Sequence, residues 1–420
     1  MERRAIVYLD RPDRPVLVGR LWSRTHRGRE TATFEYDSDW LASQERFALE
    51  PALTLAPGPF QVGAEKGLLG AIGDSAPDRW GRALMRRAER RRAQREGRAP
   101  RTFFEIDFLL MVDDEVRTGA LRFAEREGGP YLAEPGSGPR VPPLVALSGL
   151  LSASDRIAAD TDDEDDLRLL IAPGSSLGGA RPKASVTDRD GHLAIAKFPH
   201  RLDDADAVLW EALTLSLADK AGIPVPAWRI ETVAGKAVLL VRRFDRRQLS
   251  RIPFLSAMSM LGARPDEEHS YLEIADAVRR HGARPREDLS QLWRRIVFNI
   301  LVSNTDDHLL NHGFLYEGQA GWRLSPAYDM NPVPVDVKPR ILSTAIELAD
   351  PSASLELALA NAEYFGVTRN AARAVIGELG RATACWRDTG TAIGLGAAEI
   401  DRMASAFEHQ DAERARAEAA

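Results

Sequence analysis

At 420 residues, 44% hydrophobic and 28% charged, the chain has room for two or three domains with real cores and lacks the composition of a fibrous or largely disordered protein. A formal net charge of -6 argues against uniform nucleic-acid affinity, although a local basic patch is compatible with it. The single cysteine, Cys385, fits a reducing compartment, and with no signal-like apolar core near Met1 and no apolar run of about 20 residues, a cytoplasmic address without membrane contact is expected.

Residues 1–125 read as a separate small α+β unit. Ala5–Leu9, Val16–Trp22 and Thr31–Tyr36 are short β-branched and aromatic runs broken by Arg, Asp, Pro and Gly, the pattern of a small antiparallel sheet. Asp78–Arg101 carries ten arginines and predicts a helix capped near Asp74 or Ser75. Such a helix either meets nucleic-acid phosphates or an acidic partner, or presents a solvated face. Thr102–Met111 is the apolar segment for this unit to pack on, and the Gly/Pro-rich stretch 126–143 reads as a linker. The acidic run Asp160–Asp166 lacks the central Gly and closing Glu of an EF-hand loop, which leaves a solvated helix start.

From 144 to 245 the pattern is that of a small lobe that holds a nucleotide. Gly174–Ser185 (GSSLGGARPKAS) offers Gly178 and Gly179 for close approach of backbone amides to an anion, Lys183 as a point charge, and the hydroxyls of Ser175, Ser176 and Ser185. The Gly-Lys-Ser/Thr ending of a Walker A loop is absent. His192–Phe198 alternates so that Leu193, Ile195 and Lys197 share one face of a strand. Asp206–Gly222 predicts a helix with Glu211 inside its apolar stripe. A charge there is costly unless paired, and Lys197 is the expected partner. Ala237–Phe244 reads as a buried strand ending in RRFDR, where Arg243 and Phe244 either approach an adenine or simply close the strand as packing and turn residues.

The remainder, 246–420, is mainly helical by pattern, with helices predicted over 270–281, 288–303, 355–365, 370–386 and 397–409. Within it, Ser303–Pro332 carries the chemistry. Asp306 and Asn311 are five residues apart, and Asp329 follows a hairpin formed by Phe314–Tyr316 and Trp322–Leu324. Protein kinases use this order: an Asp that accepts the substrate hydroxyl proton, an Asn five residues on that holds one magnesium, and a later Asp that holds the other. The same Asp306, Asp307 and Asn311 read alternatively as polar turn residues at a helix end.

Taken in order, GSSLGGARPKAS, AIAKFP, the glutamate helix, VRRFDR, SNTDDHLLNHGF and LSPAYDM resemble the HipA family of serine/threonine kinase toxins from type II toxin-antitoxin modules, and Gly73–Arg82 (GDSAPDRWGR) resembles that family's N-terminal signature. The resemblance implies a two-lobed, kinase-like α+β fold with an additional N-terminal subdomain over 1–125, a small lobe over 144–245 and a mainly α-helical catalytic lobe over 246–420. It implies ATP and Mg2+, with Asp306 as catalytic base, Asn311 and Asp329 on the metal and Lys197 on the ATP phosphates. Ser176, Leu177, Gly178, Gly179, Ala180 and Lys183 would form the phosphate loop, Arg243 and Phe244 would lie at the adenine hinge, and Glu211 and His308 complete the expected nucleotide site. Further implications are autophosphorylation of Ser176 or its neighbour Ser175, a translation-related protein substrate such as an aminoacyl-tRNA synthetase, and neutralisation by a HipB-like helix-turn-helix antitoxin that also binds operator DNA. Two departures stand out: Arg242 replaces an acidic residue, and LGGARPK replaces the family's AGAQEK. Because a fold does not dictate the acceptor, a small-molecule or lipid phosphotransferase and a catalytically silent co-repressor acting with a DNA-binding partner are the alternatives.

Overall fold

The computed structural model describes residues 2–62, 67–132, 141–171, 179, 181–201, 203, 205–248, 250–264 and 266–418. The fold is α+β, and the chain divides into two compact units, Met1–Arg201 with Glu231–Arg264, and Leu202–Ile230 with Pro265–Ala420. These boundaries cut the chain differently from the four consecutive segments expected from the sequence. The first 125 residues share their unit with the sheet-forming residues up to 264, and the helix that carries Glu211 belongs with the C-terminal half.

Among the described residues, the first unit holds two larger sheets and a two-stranded ribbon that pairs Arg246–Arg247 with Ser250–Arg251. One larger sheet is antiparallel, with strand order Pro59–Val62, Arg29–Tyr36, Val16–His26, Glu2–Leu9 and Leu121–Ala124. Its alternation is visible in Arg29–Tyr36, where Glu30, Ala32, Phe34 and Tyr36 are buried. Buried Glu30 is accounted for: its carboxylate accepts from Ser23 Oγ and from the amides of Glu105 and Ile106, and so caps the helix Glu105–Met111. The other sheet pairs Lys183–Thr187 with Leu193–Lys197 and then Lys236–Arg242; its fourth strand, Trp228–Val233, carries the chain between the units. Ala184, Val186, Ala194, Ala196, Val238 and Leu240 form its core face, packed on the helix Leu147–Ala158 and on Trp80 and Leu84.

The arginine-rich segment forms the helix Arg79–Arg95, capped by Asp78 rather than by Asp74 or Ser75. Its guanidinium groups are largely engaged within the unit: Arg87 and Arg91 meet Asp162, Arg95 meets Glu164, and Arg82 meets Glu105. The acidic run 160–166 and the arginine helix are therefore counterparts, two segments whose charges meet across about 70 residues of sequence.

In the second unit the helix Ala207–Lys220 is buried on every face, from Val208 through Ala218. Asp206 caps it, and Gly222, at φ 66°, turns the chain out of it. Trp210 packs near Trp386 and Phe407, which stack at 4.5 Å, and its indole N–H donates to Glu399 at 2.8 Å. A helix buried on nearly all sides needs neighbours around it, and the C-terminal helices supply them. The helix Pro285–Leu301 runs through the same core, with Trp293 donating to the Ala358 carbonyl at 2.9 Å.

Candidate active site

The helix Pro285–Leu301 delivers the chain into the Asp306 loop through Ser303, whose φ of 51° is a strained turn for a non-glycine residue. Asp306 and Asp307 are adjacent and have opposite fates. The Asp306 side chain is 72% exposed, whereas Asp307 is buried. One Asp307 oxygen accepts from Tyr271 Oη, from Asn299 Nδ2 at 2.8 Å and from His312 Nε2 at 2.8 Å. Burial works against the Asp307 charge, but the His312 ring and these hydrogen bonds outweigh it and hold the carboxyl below its usual range. The same burial and the neighbouring Asp307 charge push the Tyr271 hydroxyl well up, so it stays a donor. Asp306 is thus presented to solvent from a loop whose next residue is locked in place.

The Asp329 segment is stitched to this loop. Asn304 donates to Asn299 Oδ1 at 3.0 Å and accepts from the Asn331 amide at 3.2 Å, Val333 N donates to Ser303 O at 3.1 Å, and Tyr328 Oη donates to Leu310 O at 2.8 Å. The hairpin predicted between the two parts is present, with Phe314–Tyr316 register-paired to Trp322–Leu324. Asp329 has φ 57°, the second strained polar residue of the site. Thr214, one turn beyond Glu211 on its helix, has its hydroxyl on the Met330 carbonyl, which ties the glutamate helix to the Asp329 segment.

Asn311 is buried. Its amide nitrogen donates to the Asp306 carbonyl at 3.3 Å, and its Oδ1 has no hydrogen-bond partner among the described residues. An orphaned amide oxygen and the Asp329 carboxylate are hard oxygen donors, and magnesium characteristically takes one or two of these from the protein and the rest from phosphates and water. The residues present therefore fit that metal. Among the described residues there is no group of three His, Cys, Asp or Glu side chains suited to a metal. His308 lies two residues past Asp306, with its Nδ1 buried and without a partner among the described residues.

In the first unit, Lys197 ends the strand Leu193–Lys197 and stands opposite Lys183 in register, on the sheet face away from the core cluster. Ser185 shares that face, and its hydroxyl is buried without a partner among the described residues. Lys183 is not an open point charge: its ammonium lies 3.0 Å from Asp78, both side chains nearly fully buried, and its carbonyl accepts from the Trp80 indole at 3.0 Å. Like charges directly opposite in a sheet repel, and Asp78 offsets that repulsion. Gly179 has φ 91°. Ser175, Ser176, Leu177, Gly178 and Ala180 lie outside the described residues.

The hinge reading of RRFDR also meets a different environment. The Arg243 guanidinium is fully buried, donates to the Val116 and Arg117 carbonyls, and pairs with Asp245. Asp245 also accepts from the Gly119 amide at 2.8 Å and from Arg246 at 2.7 Å. Phe244 lies half-buried at 6.3 Å, centroid to centroid, from Phe254. The motif fastens the strand Lys236–Arg242 to residues 116–119, so its arginine is spent on structure.

The residues that sequence reasoning missed are Asn299, Asn304, His312 and Tyr271, and it read Asp307 only as a polar turn residue. Asn299 was detectable as the one amide within the apolar run Ile296–Leu301, where an unpaired polar group is costly.

Residues 7–110 match the HipA N-terminal domain and residues 175–386 match the HipA-like C-terminal domain. The chain belongs to the HipA family. A relative from Sinorhizobium fredii, named "Putative kinase Y4mE", is 25% identical over 325 residues, 71% of each chain. A Haemophilus influenzae protein named "Putative kinase" is 23% identical over 201 residues, 41% of this chain and 56% of that one. Among solved structures, the Shewanella oneidensis HipA in complex with HipB and operator DNA shares this HipA-family fold with a TM-score of 0.64 at 17% identity, over 99% of this chain and 96% of that one. No helix among the described residues is long and apolar enough to cross a membrane.

Proposed function

We propose that this HipA-family chain is an ATP- and magnesium-dependent serine/threonine protein kinase and the toxin of a HipA/HipB-type module. The observation that carries this reading is the Asp306 loop: an exposed carboxylate on a braced loop, beside a buried Asn311 oxygen without a partner among the described residues and a strained Asp329. Kinase names among the relatives support it.

The chemistry follows from these side chains. The acceptor hydroxyl gives its proton to Asp306 as its oxygen bonds to the γ-phosphorus, and the bond from that phosphorus to the bridging oxygen breaks to release ADP. Asn311 and Asp329 would hold magnesium, which supplies charge neutralisation for the phosphates. Lys197 would hold the phosphates, and His308 would face the nucleotide. Alignment and charge neutralisation suffice because the transition state is loose.

A HipB-like helix-turn-helix antitoxin, operator DNA reached through it, and a translation-related substrate such as an aminoacyl-tRNA synthetase belong to the same proposal, as does self-limiting autophosphorylation at Ser176 or Ser175. The HipB and operator DNA of the Shewanella complex support the first two. The test is intact-mass spectrometry with and without Mg-ATP, followed by peptide mapping. Added phosphate on Ser175 or Ser176 that vanishes in Asp306→Ala is the expected result, and phosphotransfer undiminished in Asp306→Ala removes the proposed base.

A further inference from the structure

We infer that Lys338 and Ser343 are positioning residues for Asp306, forming a clasp that the segment after Asp329 closes on the catalytic loop; the inference rests on Asp306 being the base. Asp306 is too exposed for packing to fix its carboxylate, and a base must be held within a fraction of an ångström to act on a hydroxyl. Beside it, a set of donors converges on the carbonyl of the preceding residue. The Thr305 carbonyl receives the Ser343 amide at 3.0 Å, the Ser343 hydroxyl at 3.0 Å and the Lys338 ammonium at 3.2 Å.

A carbonyl has two lone pairs and a hydroxyl has one proton, so this acceptor is crowded. The Ser343 hydroxyl has an alternative acceptor in Asp306 Oδ1 at 3.5 Å, and the Lys338 ammonium, 3.4 Å from Ser343 Oγ, stands 3.9 Å from that same oxygen. Both donors approach Oδ1, which leaves Oδ2 for the acceptor hydroxyl. So exposed a charge pair adds little stability, and its value is orientation.

The clasp is itself rigidly held. Between its two members, Arg340 pairs with Asp411 at 2.8 Å and donates to the Ile300 carbonyl at 3.0 Å, while Leu342 N donates to Pro351 O at 2.8 Å. Just beyond, Ala345 N donates to His269 O at 2.9 Å. Nothing in the spacing of the Asp306, Asn311 and Asp329 set points to these two residues.

The experiment measures phosphotransfer and, separately, Mg-ATP affinity by calorimetry, for full-length wild type, Lys338→Met, Lys338→Arg, Ser343→Ala and Asp306→Ala. In Lys338→Met kcat should fall at least about tenfold while Mg-ATP affinity stays within about twofold, Lys338→Arg should recover most of the rate, and Ser343→Ala should lose less than Lys338→Met. An unchanged kcat in Lys338→Met, alongside an inactive Asp306→Ala, overturns the clasp and leaves the kinase reading intact. A loss confined to Mg-ATP affinity also overturns it, since Lys338 would then be a nucleotide ligand. Full activity in Asp306→Ala overturns the base, and the clasp with it. If Lys338→Met does not fold, Lys338→Arg and Ser343→Ala decide, and wild-type kcat in Ser343→Ala then counts against the clasp.

Discussion

Asp245 in the first unit and Asp307 in the second are both buried carboxylates, and their surroundings are opposite in kind. Asp245 lies between two guanidinium groups, Arg243 and Arg246, whose attraction outweighs its burial and holds it far below the usual range. Asp307 is held mainly by donors with fixed directions, a phenol, an amide and an imidazole. Arg243 grips Asp245 with two N–H groups, so both carboxylates are oriented; the difference is that two full cations neutralise Asp245, whereas Asp307 relies on uncharged donors and the His312 ring. The first arrangement suits a staple between chain segments; the second suits the residue beside a catalytic base. Asp74 marks the intermediate case: half-buried, it accepts from the amide and hydroxyl of Ser256 at 2.7 and 2.8 Å and from the Ser259 side chain, has no cation in contact among the described residues, and is pushed up to about 6, chiefly by burial.

The largest effect expected from breaking this comparison is at Asp245. Asp245→Ala leaves Arg243 and Arg246 buried without their counter-charge and should cost about 3–5 kcal/mol, read as a fall in the urea midpoint; a loss under about 1 kcal/mol would mean that water or another carboxylate takes over. Asp307→Asn should cost less, about 1–3 kcal/mol, because the shape survives and only the acceptor strength changes. Its signature should be kinetic, with kcat lowered and Mg-ATP affinity kept, and a rate equal to wild type would show that the locked neighbour does not matter to Asp306.

Asp74 gives the pH test. Its folded pKa of about 6 lies above the ordinary 3.8, so the folded state holds the proton more tightly; this stabilisation is complete below about pH 4 and fades as pH rises to about 6. The stability of wild type relative to Asp74→Asn should therefore decline across that window by up to roughly 2–3 kcal/mol, and a flat difference would show that the carboxyl is solvated. For Asp307 the sign is reversed: with its folded pKa lowered, its contribution is present above the unfolded value and is lost as the solution is acidified through the folded one. The smallest expected effect is Trp80→Phe, about 1 kcal/mol for the hydrogen bond to Lys183 O, visible as a small shift in Tm.

Much of this was legible in the sequence. Periodicity placed the helices over 207–220, 271–281 and 285–301 within a few residues, and the strand pair around Glu317–Gly321 was readable from its β-branched and aromatic flanks. The order of Asp306, Asn311 and Asp329 pointed to the family. What was not legible depends on contacts between distant segments. The arginine helix and the acidic run each looked like a solvated face because the pattern of one says nothing about the other. Lys183 and Arg243 looked like ligand residues because a cation after glycines, or before an aromatic, has the same local signature whether it faces a nucleotide or a buried aspartate. Asp307, next to Asp306, is the sharpest case, since only the burial of Tyr271 and His312 around it separates the two roles.

The pairing of Asp78 with Lys183 also has a consequence during synthesis. The two residues are 105 positions apart, and the Arg243 to Val116 bond spans 127. At roughly 5–20 residues per second, the early segment leaves the ribosome some 5–25 seconds before its partners do. For that interval Asp78, Trp80 and the carbonyls of 116 and 117 are without the groups that later satisfy them, so the first sheet can pair before its surroundings are complete, and the first unit closes only after residue 264 has emerged.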